Sequence, residues 1–463
     1  MSDIDRYVKV LVAKYLKDQG YHTTLNDFIK DAELSVNLVD SCNDLVMGEE
    51  SLRHLVQDRF HYNEHLISNK FNDLNLNDSM PKLSDSLKEI LPSWEHAELQ
   101  FNFSPLTNCP SSLIIHSKYC HITKQLMLST SDKEVIIYDE NLTKIGELIS
   151  ERPSISKLCG SIDNDRLLYT CSIDGTFYLY TSNDFKSLEC QNNKLHMRMI
   201  SHLKIINNYK DIGNSWFVIS CGLDNSLKIH VLSKVNEIFQ FKLLNECKLS
   251  SQVTSINVSH LKYDEHTLIP LIFITRSEYT HILCYTFDNF SVSLLYQIAL
   301  NDAQFTSHAF NIRDVLILNT ISTELGDTIL TENTMISVAT SHTPYMRLLL
   351  ATVPLDKFDD LKGIDSGKTF YDKVILNMAT EVAQNSYSQP IMKYLPQKKG
   401  IIIGTDNGIF AMDVRNGESW NLIKDQDKYK EQRVKTLEVA PELNYVIAAM
   451  ANKQTNLYYL DTV

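Results

Sequence analysis

The sequence predicts a mainly β fold, a seven-bladed β-propeller, preceded by a small α-helical module. Two observations carry this prediction. From residue 110 onward, an apolar strand, a short polar turn and a second apolar strand recur along the chain. In the first 34 residues, apolar side chains instead follow the 3.6-residue period of a helix. A chain of 463 residues is long for one domain, but a propeller grows by repetition.

The clearest copies of the repeat each carry an aspartate where the chain turns. These aspartates are Asp132, Asp174 and Asp224, and a fourth, Asp406, stands in a similar segment. Asp-Gly and Asp-Asn pairs favour hairpin turns because the turn requires positive φ. We therefore predict that all four are structural turn formers that bond the backbone two residues on, and not catalytic acids.

Weaker copies of the repeat extend the series to seven turns. The expected turn residues are Asp132, Asp174, Asp224, Glu278, His342, Asp406 and Lys453, at spacings of 42 to 64 residues. A four-stranded blade needs about 40–45 residues, so the longer spacings predict loop insertions. The candidate insertions are polar: Ser322–Asn333, Leu361–Thr369 and Lys424–Arg433.

The propeller domain is predicted over residues 98–463. Its last repeat ends on a third-strand pattern, which would leave a free sheet edge open to aggregation. The segment 98–104 alternates apolar and polar residues before the first repeat. We predict that it is the closing outer strand of the last blade.

On these repeats the domain resembles the WD-repeat family. The family's Trp-Asp pair is absent, and its place is taken by Tyr138-Asp139, Tyr180-Thr181 and Leu460-Asp461. The Gly-His pair is also missing, with Ser201-His202 as the nearest substitute. The resemblance implies a protein-binding propeller whose buried hydrogen-bond network is incomplete.

The N-terminal residues 5–34 resemble the LisH motif, a short helical module that typically forms homodimers and often precedes a propeller. The residues that carry the resemblance, and that it implies for dimerisation, are Leu11, Tyr15, Leu16, Gly20, Leu25 and Phe28. About 30 residues without a metal site or disulfide are too few to fold alone, so a second copy is expected to cover their apolar surface. Intramolecular packing on the propeller is the alternative.

The remaining N-terminal residues complete the predicted domain plan. A further amphipathic helix is expected over Glu49–Phe71, so the helical dimerisation module spans 1–71. Residues 72–97 are polar, contain two prolines and are predicted to be a linker. Thr23 or Thr24 is placed to cap the second helix of the motif.

Composition narrows the choice of partners and compartment. The formal net charge of −13 disfavours non-specific binding of nucleic acid or anionic membrane, and no apolar run is long enough for membrane insertion. The N-terminus is not expected to be a secretory signal. Nine cysteines occur singly, which is typical of free thiols in a reducing compartment. We expect a cytoplasmic or nuclear protein.

No catalytic motif is evident, and no cofactor or metal site is predicted. His61 and His65 have i,i+4 spacing but no third ligand nearby, so they are interpreted as solvated surface. The triplet Asp413-Val414-Arg415 is similar to the end of a ubiquitin-ligase docking box, although the end of a strand is the simpler interpretation.

The sequence thus favours a non-catalytic scaffold or adaptor that homodimerises and binds protein partners within a multiprotein complex. The resemblance to LisH-plus-propeller proteins implies corepressor subunits, regulators of microtubule motors or ubiquitin-ligase components. A ubiquitin-ligase component or substrate receptor is one alternative. An enzyme that uses the propeller channel is another, and a membrane-coat or trafficking propeller is a third.

Overall fold

The structure is a computed structural model. It describes residues 3–34, 52–53, 56, 89–91, 101–106, 109–121, 123–148, 154–162, 167–181, 189–236, 238–264, 267–288, 291–301, 310–355, 367–395, 400–415, 417–422, 433–440 and 445–460. The expected helix at Glu49–Phe71, the histidine pair His61 and His65, and most of the expected linker at 72–97 lie outside these ranges.

Two helices form the N-terminal hairpin. Helix α1 spans Asp3–Asp18 and α2 spans His22–Asp31. Gly20 lies between them with φ of +75°, a left-handed conformation that suits glycine at the end of a helix. Helix α2 starts one turn earlier than its threonines suggest: Tyr21 is its N-cap residue, and no side chain caps it. The expected threonine cap is therefore wrong, because the tight turn at Gly20 brings the chain into helical geometry at once.

The rest of the described chain is built from strands. In chain order, β1 to β31 are Phe101–Pro105, Ile114–Cys120, Gln125–Thr130, Val135–Tyr138, Lys144–Leu148, Ser156–Ser161, Leu167–Ser172, Thr176–Thr181, Glu189–Lys194, Ile200–Asn207, Ser215–Gly222, Ser226–Val235, Ile238–Lys248, Val253–Lys262, Leu268–Arg276, His281–Phe287, Val292–Ala299, Ile312–Leu318, Ile321–Ser322, Thr328–Ile329, Met335–Thr340, Tyr345–Thr352, Lys368–Phe370, Val374–Ala383, Ile391–Leu395, Gly400–Thr405, Gly408–Met412, Ser419–Asn421, Val434–Ala440, Tyr445–Met450 and Thr455–Leu460.

Among the described residues these strands form seven sheets, each with four antiparallel strands at its centre. The innermost strands are β2, β6, β10, β14, β18, β25 and β29. Each inner strand contacts the next along the chain, and β29 contacts β2. The sheets therefore follow one another around a central axis, which is the arrangement of a β-propeller.

Each of the seven expected turns joins the second and third strands of one sheet. The residue after the turn aspartate takes positive φ at Lys133, Gly175 and Asn225. These conformations account for the turn chemistry that made the repeats visible in the sequence. We refer to this side of the molecule, with the turns and the connections that enter each inner strand, as the turn face.

Strand β1 lies at the outer edge of the last sheet. It pairs antiparallel with β31, from Phe101 opposite Leu460 to Pro105 opposite Asn456. The last three strands of that sheet come from the C-terminal end of the chain, so β1 joins the two ends of the domain.

Two of the expected insertions contain short strands that extend the fourth sheet. In Ser322–Asn333, β20 pairs with β19 and lies parallel to the inner strand β14. In the described end of Leu361–Thr369, β23 pairs parallel to the outer strand β17. The insertions therefore continue a neighbouring sheet, which satisfies their backbone hydrogen bonds.

The core lies between adjacent sheets. Its side chains come mainly from the two middle strands of each sheet, where consecutive Ile, Leu, Val and Met residues are almost fully buried because they face the sheets on opposite sides: Ile402 packs in one core cluster, and Ile401 and Ile403 pack in another. Leu91 belongs to this core: it is 3% exposed and packs with Met335, Met346 and Met412. The carbonyl oxygen of Ile90 accepts a hydrogen bond from Asn319 Nδ2 at 2.9 Å. Part of the expected linker is thus anchored on the propeller.

Candidate functional site

The inner strands enclose a cavity of about 550 Å³ along the axis of the propeller. Strand pairing shows that Lys118, Lys204 and Glu438 occupy the same register position, opposite Met127, Ile219 and Ile447 respectively. These three residues, with His116 and Lys393, line the cavity. An acidic chain thus carries a cluster of basic groups in its central channel.

Lys393 and Glu438 form an ion pair in this cavity. Lys393 Nζ lies 2.9 Å from Glu438 Oε1, and the glutamate side chain is 9% exposed. Burial alone would raise the pKa of Glu438, but the charges of Lys393 and Lys118 outweigh it and hold that pKa below its usual value. Glu438 is therefore an ionised carboxylate that neutralises one of the channel lysines.

Lys204 has no such partner among the described residues. Its side chain is exposed to the cavity. Desolvation of the ammonium group inside the propeller channel is the largest cause that lowers the pKa of Lys204. The positive charges of Lys118 and Lys393 lower it further, to about 8. Lys118 also forms no ion pair with a described residue. The channel therefore holds two lysines without an ion-pair partner among the described residues, together with a third that is paired.

His116 adds a neutral donor to the same cavity. Its Nδ1 accepts the backbone N–H of Cys159 at 3.3 Å, which places the ring proton on Nε2. Burial lowers the pKa of His116 to about 3, so the imidazole is uncharged at neutral pH. The sequence contains one signal for this cluster, a His-x-Lys pattern in two inner strands, His116–Lys118 and His202–Lys204. The channel cluster was not among the sites predicted from the sequence.

The hairpin of β19 and β20 borders the cavity at one end. Asp327, which is 8% exposed, accepts hydrogen bonds from Asn207 N at 3.1 Å, Asn207 Nδ2 at 3.0 Å and Tyr209 Oη at 3.0 Å. The insertion Ser322–Asn333 is thus fixed to the end of β10 by a buried carboxylate with three donors. Its contacts hold it against the channel.

The four predicted turn aspartates lie on the turn face. Asp174 Oδ1 accepts the backbone N–H of Thr176 at 2.9 Å, which is the expected bond two residues on. Asp132 is exposed, and its carboxylate accepts a hydrogen bond from Ser131 Oγ at 3.3 Å. In both turns the aspartate bonds within its own loop, but only Asp174 makes the predicted bond to the backbone two residues on.

The other two aspartates bond to neighbouring loops, so the expected backbone bond does not describe them. Asp224 Oδ1 lies 3.0 Å from His196 Nδ1, and its Oδ2 accepts the backbone N–H of Met197 at 3.2 Å. Asp406 Oδ1 lies 3.0 Å from Arg433 Nε. Both carboxylates connect a turn to the chain entering an inner strand. Proximity in the fold supplies these partners, and they are distant in sequence.

Exposed apolar side chains stand on the same turn face. Tyr387 is 82% exposed, Met197 81%, Tyr345 54% and Ile173 44%. The connection that carries Tyr387 is held by hydrogen bonds on both sides. Its carbonyl oxygen accepts from Arg433 Nη2 at 3.2 Å, and the preceding carbonyl accepts from Arg313 Nη2 at 2.6 Å. The turn face thus presents large side chains from a fixed backbone.

Some of the motif residues of the N-terminal hairpin are buried and others are exposed. Leu11 and Leu25 are buried, with Leu11 packed near Leu34 and Leu52. Leu16 and Phe28 are partly buried against Leu25, and Gly20 is exposed. Tyr15 is exposed.

The exposed apolar residues of α1 form a face of their own. Val8 is 50% and Tyr15 37% exposed, and Val12 between them is half-buried. These positions are i, i+4 and i+7, which share one side of a helix. Tyr21, at 54%, extends the exposed apolar surface at the end of the hairpin.

The described ranges hold neither a metal-binding cluster nor a membrane-spanning helix. They contain no group of three or more His, Cys, Asp or Glu residues that could hold a metal ion. None of the described helices has the length and apolar character needed to cross a membrane. The eight cysteines within these ranges are free thiols, and four of them are buried.

The ring of sheets around a channel defines a β-propeller protein, and comparison with known families agrees. The chain belongs to the family described as UCP007778, beta-propeller domain, whose profile matches residues 74–459. It is similar to a protein of Saccharomyces cerevisiae described as uncharacterized protein YGR117C. The two are 35% identical over 472 residues, which cover 99% of this chain and 97% of the relative.

Proposed function

We propose that this protein is a non-catalytic scaffold. Its seven sheets are the blades of a WD-repeat-type propeller, its N-terminal helices form a LisH-type homodimer, and its turn face binds protein partners in a multiprotein complex of the cytoplasm or nucleus. The observation that carries the proposal is the fixed, apolar turn face.

Tyr345 and Tyr387 are the best anchors for a partner on this face. Tyr345 begins a strand immediately after a turn, and Tyr387 stands in the connection that follows the same sheet. Gln384, at the start of this connection, donates from Nε2 to the carbonyl oxygen of Thr340 at 2.7 Å. Tyrosines are enriched among the residues that dominate binding energy, and a fixed backbone reduces the entropy lost on binding.

The dimer uses the exposed face of α1. Val8, Val12 and Tyr15 lie on one side of the helix, whereas Leu11 and Leu25 hold the hairpin together. Burying a large apolar side chain contributes about 1.5–3 kcal/mol, and a symmetric pair buries each residue twice. A second copy of α1 supplies the complementary surface.

Dimerisation strengthens partner capture through effective concentration. Leu91 anchors the chain to the propeller of each copy. Residues 35–88 link this anchor to the N-terminal hairpin, and the structure describes three of them, at positions 52, 53 and 56. Two weak contacts made by the two propellers of a dimer then combine, with a gain of about 10²–10⁴ in affinity. A monomeric variant is expected to lose this gain and to keep each single contact.

Partner capture by tagged full-length protein, followed by mass spectrometry, tests the proposal. The variant Tyr345→Ala with Tyr387→Ala is expected to reduce recovery of specific partners about 10-fold or more. Its matched control is Ile238→Ala with Leu243→Ala, which removes apolar residues of 59% and 47% exposure from the outer strand β13.

A set of partners that both double variants retain equally would show that the turn face is not the docking surface. Loss of all partners in both variants, with unchanged melting temperatures, would show that partner binding is not specific to the turn face. Circular dichroism of each variant separates these outcomes from unfolding.

A further inference from the structure

The channel lysines form a site that the scaffold proposal does not use. Lys118, Lys204 and Glu438 occupy one register position of the inner strands, and Lys393 reaches the same cavity. The corresponding position in the second sheet is Gly160, opposite Tyr169, where a side chain would lie within 3.0 Å of the tyrosine ring. In this layer of the channel the Tyr169 ring therefore fills the space beside Gly160, and the lysines supply basic groups from the other sheets.

The charges in the cavity do not balance. Glu438 pairs with Lys393, and Asp327 is occupied by donors from Asn207 and Tyr209. Neither Lys118 nor Lys204 forms an ion pair with a described residue, and only the more distant charges of Glu438 and Asp314 act on Lys204. Like charges held together in a partly desolvated channel repel, which costs free energy unless an anion lies between them.

Uncharged donors border the same cavity. His116 presents an Nε2–H, since its Nδ1 accepts the Cys159 backbone N–H. Trp216 lines the cavity and is 2% exposed, and its indole N–H has no hydrogen-bond partner among the described residues. A buried donor without a partner is rare in a folded protein, and an acceptor from a bound molecule satisfies it.

We propose that the propeller channel binds a small phosphate-bearing molecule between Lys118 and Lys204. A phosphate group carries the two negative charges that two ammonium groups need, whereas one carboxylate leaves a lysine uncompensated. The cavity of about 550 Å³ is larger than inorganic phosphate and lies within the size range of small-molecule pockets. The ligand is therefore an organic phosphate or a polyphosphate.

Isothermal titration calorimetry of the full-length protein tests the site, with pyrophosphate and inositol hexakisphosphate as probes. Native mass spectrometry first shows whether the purified protein already carries a ligand. We expect saturable binding with one molecule per chain. Each of the variants Lys118→Met and Lys204→Met is expected to weaken binding about 10-fold or more, because each removes charge-assisted hydrogen bonds.

The matched control is Lys242→Met, which removes an exposed lysine from the outer strand β13. It is expected to bind the probes as the unmodified protein does. Differential scanning calorimetry should show that Lys204→Met melts no lower than the unmodified protein, since it relieves repulsion. Loss of binding is then a property of the site and not of folding.

Three results would overturn the proposal. One is the absence of both a co-purified phosphate compound and binding of either probe. Another is binding that all three lysine variants weaken equally, which reports general surface charge. The third is equal affinity for citrate at matched ionic strength, which would assign the site to carboxylates. Because partner capture by the turn face is measured separately, each outcome is independent of the scaffold proposal.

Discussion

His196 and Asp224 form a buried contact that fixes the third sheet. His196 Nδ1 lies 3.0 Å from Asp224 Oδ1, and its Nε2 lies 2.9 Å from Ser220 Oγ. Because a carboxylate only accepts, the ring carries its proton on Nδ1 and accepts the serine hydroxyl on Nε2. Burial opposes the ionised form of Asp224, but Ser226 and His196 outweigh it and lower its pKa to about 2.

This contact predicts a stability difference between two turn aspartates. Asp224→Ala leaves the buried His196 ring without its acceptor and is expected to lower the free energy of unfolding by about 1–3 kcal/mol. Asp132→Ala, at the corresponding turn of the first sheet, removes an exposed group and should change it by less than about 0.5 kcal/mol. Urea unfolding measures both. Equal effects would contradict the structural role of the His196 contact.

The exposed face of α1 predicts which changes separate dimerisation from folding. Val8→Asp with Tyr15→Asp should give a monomer that retains its helical content, because both side chains are exposed. Leu11→Asp should instead unfold the hairpin, since Leu11 is 3% exposed. Light scattering at micromolar concentration and circular dichroism report the two effects. Unmodified protein that is monomeric under these conditions would refute the dimer.

The pairing of β1 with β31 predicts a loss of stability on its removal. Deleting residues 101–105 exposes the outer edge of β31 and removes the link between the two ends of the domain. The protein should become aggregation-prone and melt at a lower temperature. Deleting residues 1–34 serves as a control because it removes the hairpin alone. The closure is refuted if the first deletion leaves the melting temperature unchanged.

Buried histidines predict acid sensitivity. Burial lowers the pKa of His202 and of His281 to about 4, so both rings stay neutral in the fold while the unfolded chain binds protons below pH 6.5. Stability should therefore fall as the pH decreases from 6.5 toward 4, on the order of 1–3 kcal/mol for each ring after allowance for solvent contact.

Variants test this pH dependence directly. His281→Gln should reduce the loss of stability between pH 7 and pH 4, and the exposed His22→Gln should leave it unchanged. Chemical unfolding at several pH values gives the slope. A slope that His281→Gln does not alter would show that other groups govern acid unfolding.

The lowered pKa of Lys204 predicts how the stability of the fold changes at alkaline pH. Its pKa falls from 10.5 to about 8 because the surrounding channel walls desolvate the ammonium group and because Lys118 and Lys393 are positively charged, while Glu438 and Asp314 oppose the shift. Between these values the unfolded chain binds more protons at this residue, so its contribution to stability rises with pH. Lys204→Met should therefore be more stable than the unmodified protein at pH 7, and the difference should shrink toward pH 10. A difference independent of pH would contradict a perturbed lysine.

The sequence by itself determined the features that depend on local chemistry. Asp132, Asp174 and Asp224 marked turns because a residue of positive φ follows each of them, a requirement met within a few residues. The apolar runs that flank these turns then predicted the strands on either side. The helical period of the first residues predicted α1 and α2 for the same reason.

Only the tertiary structure decided which side chains meet. Leu11 is buried because Leu34 and Leu52 cover it, so the exposed face of the hairpin is Val8 and Tyr15. Asp224 bonds His196, 28 residues away in the chain. Lys118, Lys204 and Lys393 come from different sheets and line one cavity. Register and ring closure place these groups together, and neither follows from the residues adjacent to them in sequence.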